Sequence, residues 1–557
     1  MLGSIPNWCV SRTQVAGIHA LPTYQVYHVF YRQAKVSCEF VEFLNRLTRS
    51  PKNAMLPRVK VYLSTLGCKL NESELEAWAR RFAKDGYEVV DDPQSADMVV
   101  LNTCTVTHVA ARKSRQMARQ LARTNPNARL VLTGCYASVA PDEAKKLPNV
   151  SLVVPNAEKD RLVERISDLR FQNSDCAQNA DVDLKSEILN LKSEIFHLRT
   201  RAFVKIEDGC NMSCTYCIIP IARGKERSRS MADVVSEIKS LVDTGYKEII
   251  LTGVQISSYR PSVTPALAFG ASVASEAKQS PTSTMEIASP RSFDSATDAT
   301  RVAPLRTLLA MTNLRDLVAA ILSETAVPRL RLTSIAPWEV DEALLDLFDD
   351  SRLCRHLHLS LQCGSDTVLR RMRRPYTTAQ FARAVESVRA KIPDVGITAD
   401  VIVGFPGESQ VEFEQSLEFV EQMQFSRVHV FPYSARAGTV AASLPLQISD
   451  SIKASRMKQM QTIADLSMRA FAERFVGREL PVLWESKEQT KDDGRKPEDN
   501  FSFVVRPPSS VWSGYTDNYI RVVAPSEADL GNTIAPARLV RAIDDGAIGE
   551  IIDASAS

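Results

Sequence analysis

From Arg58 onward the apolar positions follow two alternating rhythms. Val59-Lys-Val-Tyr-Leu-Ser-Thr-Leu66 has the period of a strand. Glu72 to Asp85 has the period of a helix through Leu75, Trp78, Ala79 and Phe82, and Gly86 halts it. Asp97-Met-Val-Val-Leu-Asn102 reads as a buried strand, Val109 to Arg123 as a helix, and Ala128-Arg-Leu-Val-Leu132 as a further strand. Strands that alternate with helices in this way predict a parallel sheet with crossover connections.

A second series starts near Thr200. Its predicted strands are Ala202–Ile206, Glu248–Thr252, Arg329–Thr333, His356–Leu361, Gly396–Val403 and Arg427–Phe431. Helical periods at Asp233–Val242, Leu314–Leu322, Thr378–Lys391 and Glu408–Met423 lie between them. Six β/α units fall short of the eight of a closed barrel, so the pattern predicts an open, partial (β/α)6 barrel. Ser451–Phe475 then reads as a helix, and short strands at Leu480–Glu485, Phe501–Arg506 and Asn518–Val523 predict a small β-barrel. The expected class is α/β: an N-terminal open parallel sheet domain, a central partial barrel and a C-terminal small β-barrel.

Where the rhythm lapses, boundaries follow. Residues 1–57 form an extension of unknown role; Tyr24–Tyr31 reads as a short strand and Phe40–Leu47 as a helix before Pro51 and Pro57, and disorder or loose packing is expected. The first domain is assigned to 58–165 and a linker to 166–199, where Leu-Lys-Ser-Glu-Ile recurs at Leu184 and Leu191, too briefly for a coiled coil. The second domain runs over 200–440 and carries a Ser-, Ala-, Thr- and Pro-rich insertion at 261–303, expected to be disordered. A connecting helix at 441–478, the small barrel at 479–545 and a tail at 546–557 complete the chain.

Composition changes this picture little. A net charge of +2 means that a polyanionic partner must be met by local basic patches. No stretch is apolar enough to span a membrane, and no secretory signal opens the chain, so a cytoplasmic protein is expected. Eleven cysteines are too few for a disulfide scaffold at this length, and their clustering favours metal ligation in a reducing compartment.

Cys210, Cys214 and Cys217 stand in C-x-x-x-C-x-x-C spacing directly after a predicted strand. Three thiolates this close suit three irons of a cubane, leaving one iron open to a chelating ligand. Zinc would want a fourth Cys or His, and Cys176 and His197 are the near-side candidates. The spacing resembles the radical S-adenosylmethionine (SAM) signature. Cys68, Cys104 and Cys135 each follow the carboxyl end of a strand, the edge where an open α/β sheet binds ligands. By that placement alone, small buried cysteines remain an equally ordinary reading.

Thr65-Leu-Gly-Cys68-Lys-Leu-Asn71, Asn102-Thr-Cys104-Thr-Val-Thr107 and Thr133-Gly-Cys135-Tyr-Ala137 resemble the N-terminal domain of the methylthiotransferase family. Trp512-Ser-Gly-Tyr-Thr-Asp-Asn-Tyr-Ile-Arg-Val522 resembles the RNA-binding TRAM domain. The likeness covers about Arg58 to Val540, apart from the linker and the insertion.

The resemblance implies two [4Fe-4S] clusters, one on Cys210, Cys214 and Cys217 with SAM, the other on Cys68, Cys104 and Cys135. One SAM would provide a methyl group and another the 5′-deoxyadenosyl radical, and C–H would become C–S–CH₃. Tyr216, Thr252, Gly253, Gln362, Val401 and Gly404 fall on the segments that would surround SAM, and Arg227, Arg229 and Arg331 are candidates for its carboxylate. Arg329–Val340 and His429–Thr439 look most like the branch that acts on threonylcarbamoyladenosine beside the tRNA anticodon. Gln255, Ala336, Ser360 and Cys363 depart from that branch's usual residues. Arg223–Arg229, Arg370–Arg374 and the helical stripe Arg112, Arg115, Arg119 and Arg123 are candidates for RNA phosphates. An electron-donor protein, a sulfur donor and a monomeric state are expected as well. Competing expectations are action on isopentenyladenosine in tRNA, action on a ribosomal-protein aspartate, and a non-catalytic iron–sulfur RNA-binding protein.

Overall fold

The computed structural model describes residues 58–171, 200–261, 312–489 and 510–552, which form three packed domains. The elements expected within residues 1–57 and at 501–506, and the insertion at 262–303, lie outside the described residues.

In the first domain β1 (Lys60–Thr65), β2 (Glu88–Val90), β3 (Met98–Thr103), β4 (Arg129–Gly134) and β5 (Val150–Val154) form one parallel sheet in the order β2-β1-β3-β4-β5. Sequence reading missed β2 and β5, which are too short or too weakly patterned to show a period. Val99, Leu101, Leu130 and Leu132 bury one face together with Ala111, Ala118 and Leu121 of the helix His108–Thr124. Val61, Val100 and Val131 bury the other with Trp78 and Phe82 of the helix Lys69–Lys84 and with Leu162 and Ile166. Residue 166 therefore does not begin a linker. It lies within the helix Leu162–Phe171, held on the sheet by that buried isoleucine.

The central domain continues with β6 (Arg201–Lys205), a two-stranded ribbon of β7 (Glu207–Asp208) and β8 (Arg227–Ser228), and then β9 (Glu248–Thr252) and β10 (Arg329–Leu332). β11 (His356–Gln362), β12 (Gly396–Val403) and β13 (Arg427–Pro432) follow. β6, β9 and β10 pair in parallel, as do β11, β12 and β13, and parallel bridges at Leu330–Leu353 and Ile335–Leu359 join the two halves. This is the expected open barrel of six strands. On β11 Leu357, Leu359 and Leu361 are buried in the apolar layer, while His358, Ser360 and Gln362 are only half-buried. That alternation gives the barrel an apolar layer outside and a polar lumen inside.

The helix Asp450–Glu473 leads into a closed barrel of β14 (Glu479–Gln489), β15 (Ser510–Thr516), β16 (Arg521–Pro525), β17 (Thr533–Ile543) and β18 (Gly546–Ile551). The tail expected from 546 is thus in part a strand: β18 closes the barrel by pairing with β16 and β17. Its glycine-rich Gly-Ala-Ile-Gly-Glu-Ile carries no apolar alternation that would have marked it. The barrel docks against the central domain through backbone carbonyls. Arg329 donates to Pro481 O (2.7 Å) and Tyr515 O (3.0 Å), and Arg331 donates to Asp517 O (2.9 Å). Arg355 grips the Asp517 carboxylate at 2.6 and 3.1 Å.

Candidate active site

The sheet order reverses between β1 and β3, and at such a switch point the loops leave a crevice outside the carboxyl ends of the strands. Cys68 follows β1, Cys104 follows β3 and Cys135 follows β4, so the fold gathers them there. Gly67 (φ +114°) makes the approach possible, since a Cβ at that position would lie 2.8 Å from Cys104 Cβ. Gly134 (φ +90°) does the same for Cys135: a Cβ would lie 2.4 Å from Asn102 Oδ1 and from Thr103 O.

Burial first, and then the neighbouring Cys68 and Cys135, push the Cys104 thiol up to about 12. Cys68 is exposed to solvent, yet the protein around it also raises its thiol, so it lines a hollow rather than the outer surface. Burial likewise raises Cys210, and Cys217 to about 12. Thiols of this kind lose their protons chiefly to a bound cation, which fits metal ligation. Among the described residues no three His, Cys, Asp or Glu groups close around one ion-sized point. A cubane spreads its thiolates over separate irons.

Buried polar groups tie the two cysteine regions together. Asn156 Nδ2 lies 3.6 Å from Cys135 Sγ and donates to Ala222 O at 2.7 Å, so a single side chain separates Cys135 from the helix Ile219–Arg223. Arg223 donates to Asp208 (2.8 Å), Glu74 (3.2 Å) and Asn71 Oδ1 (2.6 Å). Lys159 pairs with Glu74 at 2.5 Å and with Asp208 at 2.9 Å. Burial opposes ionisation of both carboxylates, but Lys159, Arg223 and Lys205 overcome it and hold both below the usual range, Glu74 at about 2. Arg436 reaches from the central domain to Thr105 Oγ1, beside Cys104, and its buried Nε has no partner.

Around Cys210–Cys217, Arg374 donates to Cys214 Sγ at 3.3 Å and lies over the rings of Trp338 (5.2 Å) and Tyr376 (5.1 Å). Tyr216 packs at the core's edge, close to this guanidinium and to the thiols of Cys214 and Cys217. Thr252 ends β9, and its carbonyl accepts from Ile206 N at 2.9 Å. Gly253 has no room for a side chain: a Cβ would meet Glu207 Oε2 at 2.7 Å. That oxygen accepts from Val254 N (2.8 Å) and Gln255 N (3.0 Å), while the buried Glu207 Oε1 has no partner. Burial raises Glu207 to about 8. Gln362 ends β11 in the left-handed region (φ 72°). Val401 is buried in the apolar layer, which leaves the lumen to its neighbours Asp400 and Ile402. Gly404 (φ +73°) serves a turn, donating its N–H to Glu408 (2.6 Å), which Arg456 also holds at 2.6 Å.

Several expected cations are already committed. Arg331 is buried against Glu248 at 2.7 Å, far from a role at the SAM carboxylate, and Arg229 pairs with Glu237 at 2.6 Å. Arg227 lies 3.5 Å from Asp208 and stays largely exposed. Arg223 is buried and is not a phosphate contact. Arg371 pairs with Glu412 at 2.8 Å, which leaves Arg370 and Arg373 as the exposed members of their cluster. Arg112, Arg119 and Arg123 are exposed, while Arg115 rests over the Tyr136 ring at 5.6 Å.

Sequence reading missed the lumen. His358 bonds Thr398 Oγ1 (2.9 Å) and Asp400 Oδ2 (3.2 Å), and the His429 ring lies 6.1 Å from the His358 ring. The signal was available: polar residues at alternate places in His-Leu-His-Leu-Ser-Leu-Gln mark a face that is not core.

Comparison with known proteins meets this geometry. Residues 60–155 match the family described as Uncharacterized protein family UPF0004, and residues 204–420 match the radical SAM superfamily. The threonylcarbamoyladenosine tRNA methylthiotransferase MtaB of Bacillus subtilis is 33% identical over 488 residues, covering 86% of this chain and 94% of that protein. The chain belongs to the radical SAM methylthiotransferase family. The MtaB of Thermotoga maritima is 34% identical over 428 residues, with 76% and 86% of the two chains covered. The tRNA-2-methylthio-N(6)-dimethylallyladenosine synthase of Syntrophus aciditrophicus is 29% identical over 444 residues, with 78% and 86% covered. The solved radical SAM methyltransferase TsrM of Kitasatospora setae superposes with a TM-score of 0.44 at 16% identity, over 69% of this chain and 77% of that one. As a radical SAM methylthiotransferase, the chain uses SAM and a [4Fe-4S] cluster.

Proposed function

We propose that this chain methylthiolates threonylcarbamoyladenosine in the anticodon loop of tRNA. The observation that carries the reading is the joining of the two cysteine regions through Asn156 and the Arg223–Asp208–Glu74 network. Cys210, Cys214 and Cys217 would hold the cluster that binds SAM, and Cys68, Cys104 and Cys135 a second cluster. When bound, these groups supply the electron, the carbon radical and the methylthio unit.

The chain's own residues orient and enclose. Glu207 holds the turn after β9 through two backbone N–H groups, and Gly253 and Thr252 keep that backbone close to the cysteine loop. Arg374 places a fixed positive charge on Cys214, and Tyr216 shields the same side from water. Gln362, Val401 and Gly404 line the far side of the SAM position by backbone. Exposed Arg112, Arg119, Arg123, Arg370 and Arg373 would meet tRNA phosphates. An electron-donor protein and a sulfur donor complete the reaction, and the enzyme works as a monomer in the cytoplasm. No helix among the described residues is long and apolar enough to cross a membrane.

The test is mass spectrometry of tRNA nucleosides from a strain lacking the gene, with and without complementation. Return of the methylthio mark on threonylcarbamoyladenosine supports the reading; its return on isopentenyladenosine alone refutes it.

A further inference from the structure

We propose that Lys69 receives the carboxylate of the acceptor's threonyl group and so selects threonylcarbamoyladenosine over adenosines with a neutral substituent. This inference rests on the function proposed above.

Lys69 opens the helix Lys69–Lys84 directly after Cys68, but its side chain does not stay in the first domain. Its ammonium stands 5.6 Å from the ring centroid of Tyr519, a residue of the C-terminal barrel. That ring in turn lies 4.5 Å from the His356 ring of β11 and 4.8 Å from the Arg331 guanidinium of β10. The Lys69 charge is also felt at Asp400 on β12 and at His429 on β13. One ammonium thus faces groups from all three domains inside the barrel lumen.

Its surroundings leave it without a carboxylate partner: its nearest acidic group is the Tyr519 hydroxyl, which Lys69 lowers to about 7. Arg331 is paired with Glu248, Arg201 with Glu485 and Arg427 with Asp545. The lumen carboxylate of Asp400 is held by His358 at 3.2 Å. Lys69 is exposed to the hollow, and among the described residues no carboxylate stands within ion-pair distance of it. A cation in a protein-walled recess whose close company is a tyrosine rather than a carboxylate is set to exchange that weaker acid for an incoming carboxylate.

The acceptor brings one. A threonine joined to N6 of adenosine through its amino group keeps its carboxylate, whereas an isopentenyl group has no charge. C2 and N6 lie on the same edge of adenine, on either side of N1. With C2 directed at the site that Cys68, Cys104 and Cys135 would build, the N6 substituent would extend toward neighbouring residues, and the Lys69 ammonium at the Tyr519 ring is within the same lumen. Burying that carboxylate without a cation would be strongly unfavourable.

The test uses the full chain, reconstituted anaerobically, with two tRNA substrates: one carrying threonylcarbamoyladenosine and the same tRNA with the threonyl carboxylate capped as a methyl ester. Lys69→Gln is expected to lower kcat/KM on the carboxylate form by about 10- to 100-fold, the range for a charge-assisted bond. On the ester, the wild type should fall to the same level, and the two enzymes should agree within about twofold. Lys69→Arg, which keeps the charge, should recover most of the loss on the carboxylate form. Lys69→Gln that matches the wild type on the carboxylate form, or that loses as much on the ester, overturns the inference. Should Lys69→Gln lose iron, the wild type alone decides: equal rates on the two tRNAs overturn it. A wild type that modifies only isopentenyladenosine tRNA overturns both this inference and the function it rests on, whereas a normal wild type with an indifferent Lys69→Gln overturns this inference alone.

Discussion

Replacing Arg223 by methionine would remove the centre of the buried network between the first and central domains. The side chain is 1% exposed and touches Asp208, Glu74 and Asn71. Methionine has a similar reach and leaves no large cavity, so the loss is electrostatic. Removing one partner of a buried ion pair costs about 3–5 kcal/mol. Lys159 stays within 2.9 Å of both carboxylates, which puts the cost near the lower end, about 3 kcal/mol.

The carboxylates give a second route to the same figure. Burial would raise Glu74, yet Lys159, then Arg223, then Lys205 hold it at about 2 instead of 4.5, which corresponds to about 3 kcal/mol in all. Arg223 supplies part of that and adds its bond to Asp208. For a melting unit of about 150–250 residues, the size of the central domain, the loss is a fall of about 6–12 °C in melting temperature.

The sign with pH is definite. A depressed carboxyl stabilises above its unfolded value of about 4.5 and ceases to as pH falls toward 2, so the gap between wild type and variant should narrow over that window. Thermal melts of anaerobic protein at pH 7 and below pH 4, with iron counted per chain, would measure both effects. A variant that melts within about 1 °C of the wild type at pH 7 and keeps all its iron would refute the reasoning.

Three further changes probe other parts of the molecule. Cys104→Ala should cut reconstituted iron to about half and abolish methylthio product while deoxyadenosine formation continues; full iron retention counts against the second cluster. Burial holds His429 at about 4 rather than 6.5, so the wild type should lose up to about 3 kcal/mol of stability as pH falls from 6.5 to 4. His429→Gln should flatten that slope in denaturant titrations, and parallel slopes would contradict the assignment. Gly396→Ala would put a Cβ 2.2 Å from Asn518 O and force the C-terminal barrel off its seat, at a cost of about 1–3 kcal/mol. Faster protease cleavage near the domain junction should report it, and an unchanged digestion pattern would show that the seat adjusts.

Much of the fold was legible because its elements are long and strongly periodic. All six barrel strands stand within a residue or two of their predicted bounds, and the cysteines lie at strand ends where the alternation put them. β2 and β18 were not legible, since three residues show no period and a Gly-rich strand shows no apolar face. The basic runs misled for a related reason. Arg223 looked like a surface cation because a run of positive residues gives no hint of Glu74, which lies 149 residues away and neutralises it in the core.

Spacing and residue chemistry are local properties, so the chain alone determined that three thiols lie within one loop and that three more follow parallel strands. Which side chains share a hollow depends on strand order, on the pairing of distant charges and on how the domains seat against one another. Only the tertiary structure could send Lys69 from the first domain to the Tyr519 ring of the last, bury Arg223 and turn His358 and Asp400 toward a common lumen. Such contacts join residues tens to hundreds of positions apart, and no pattern along the chain encodes that distance.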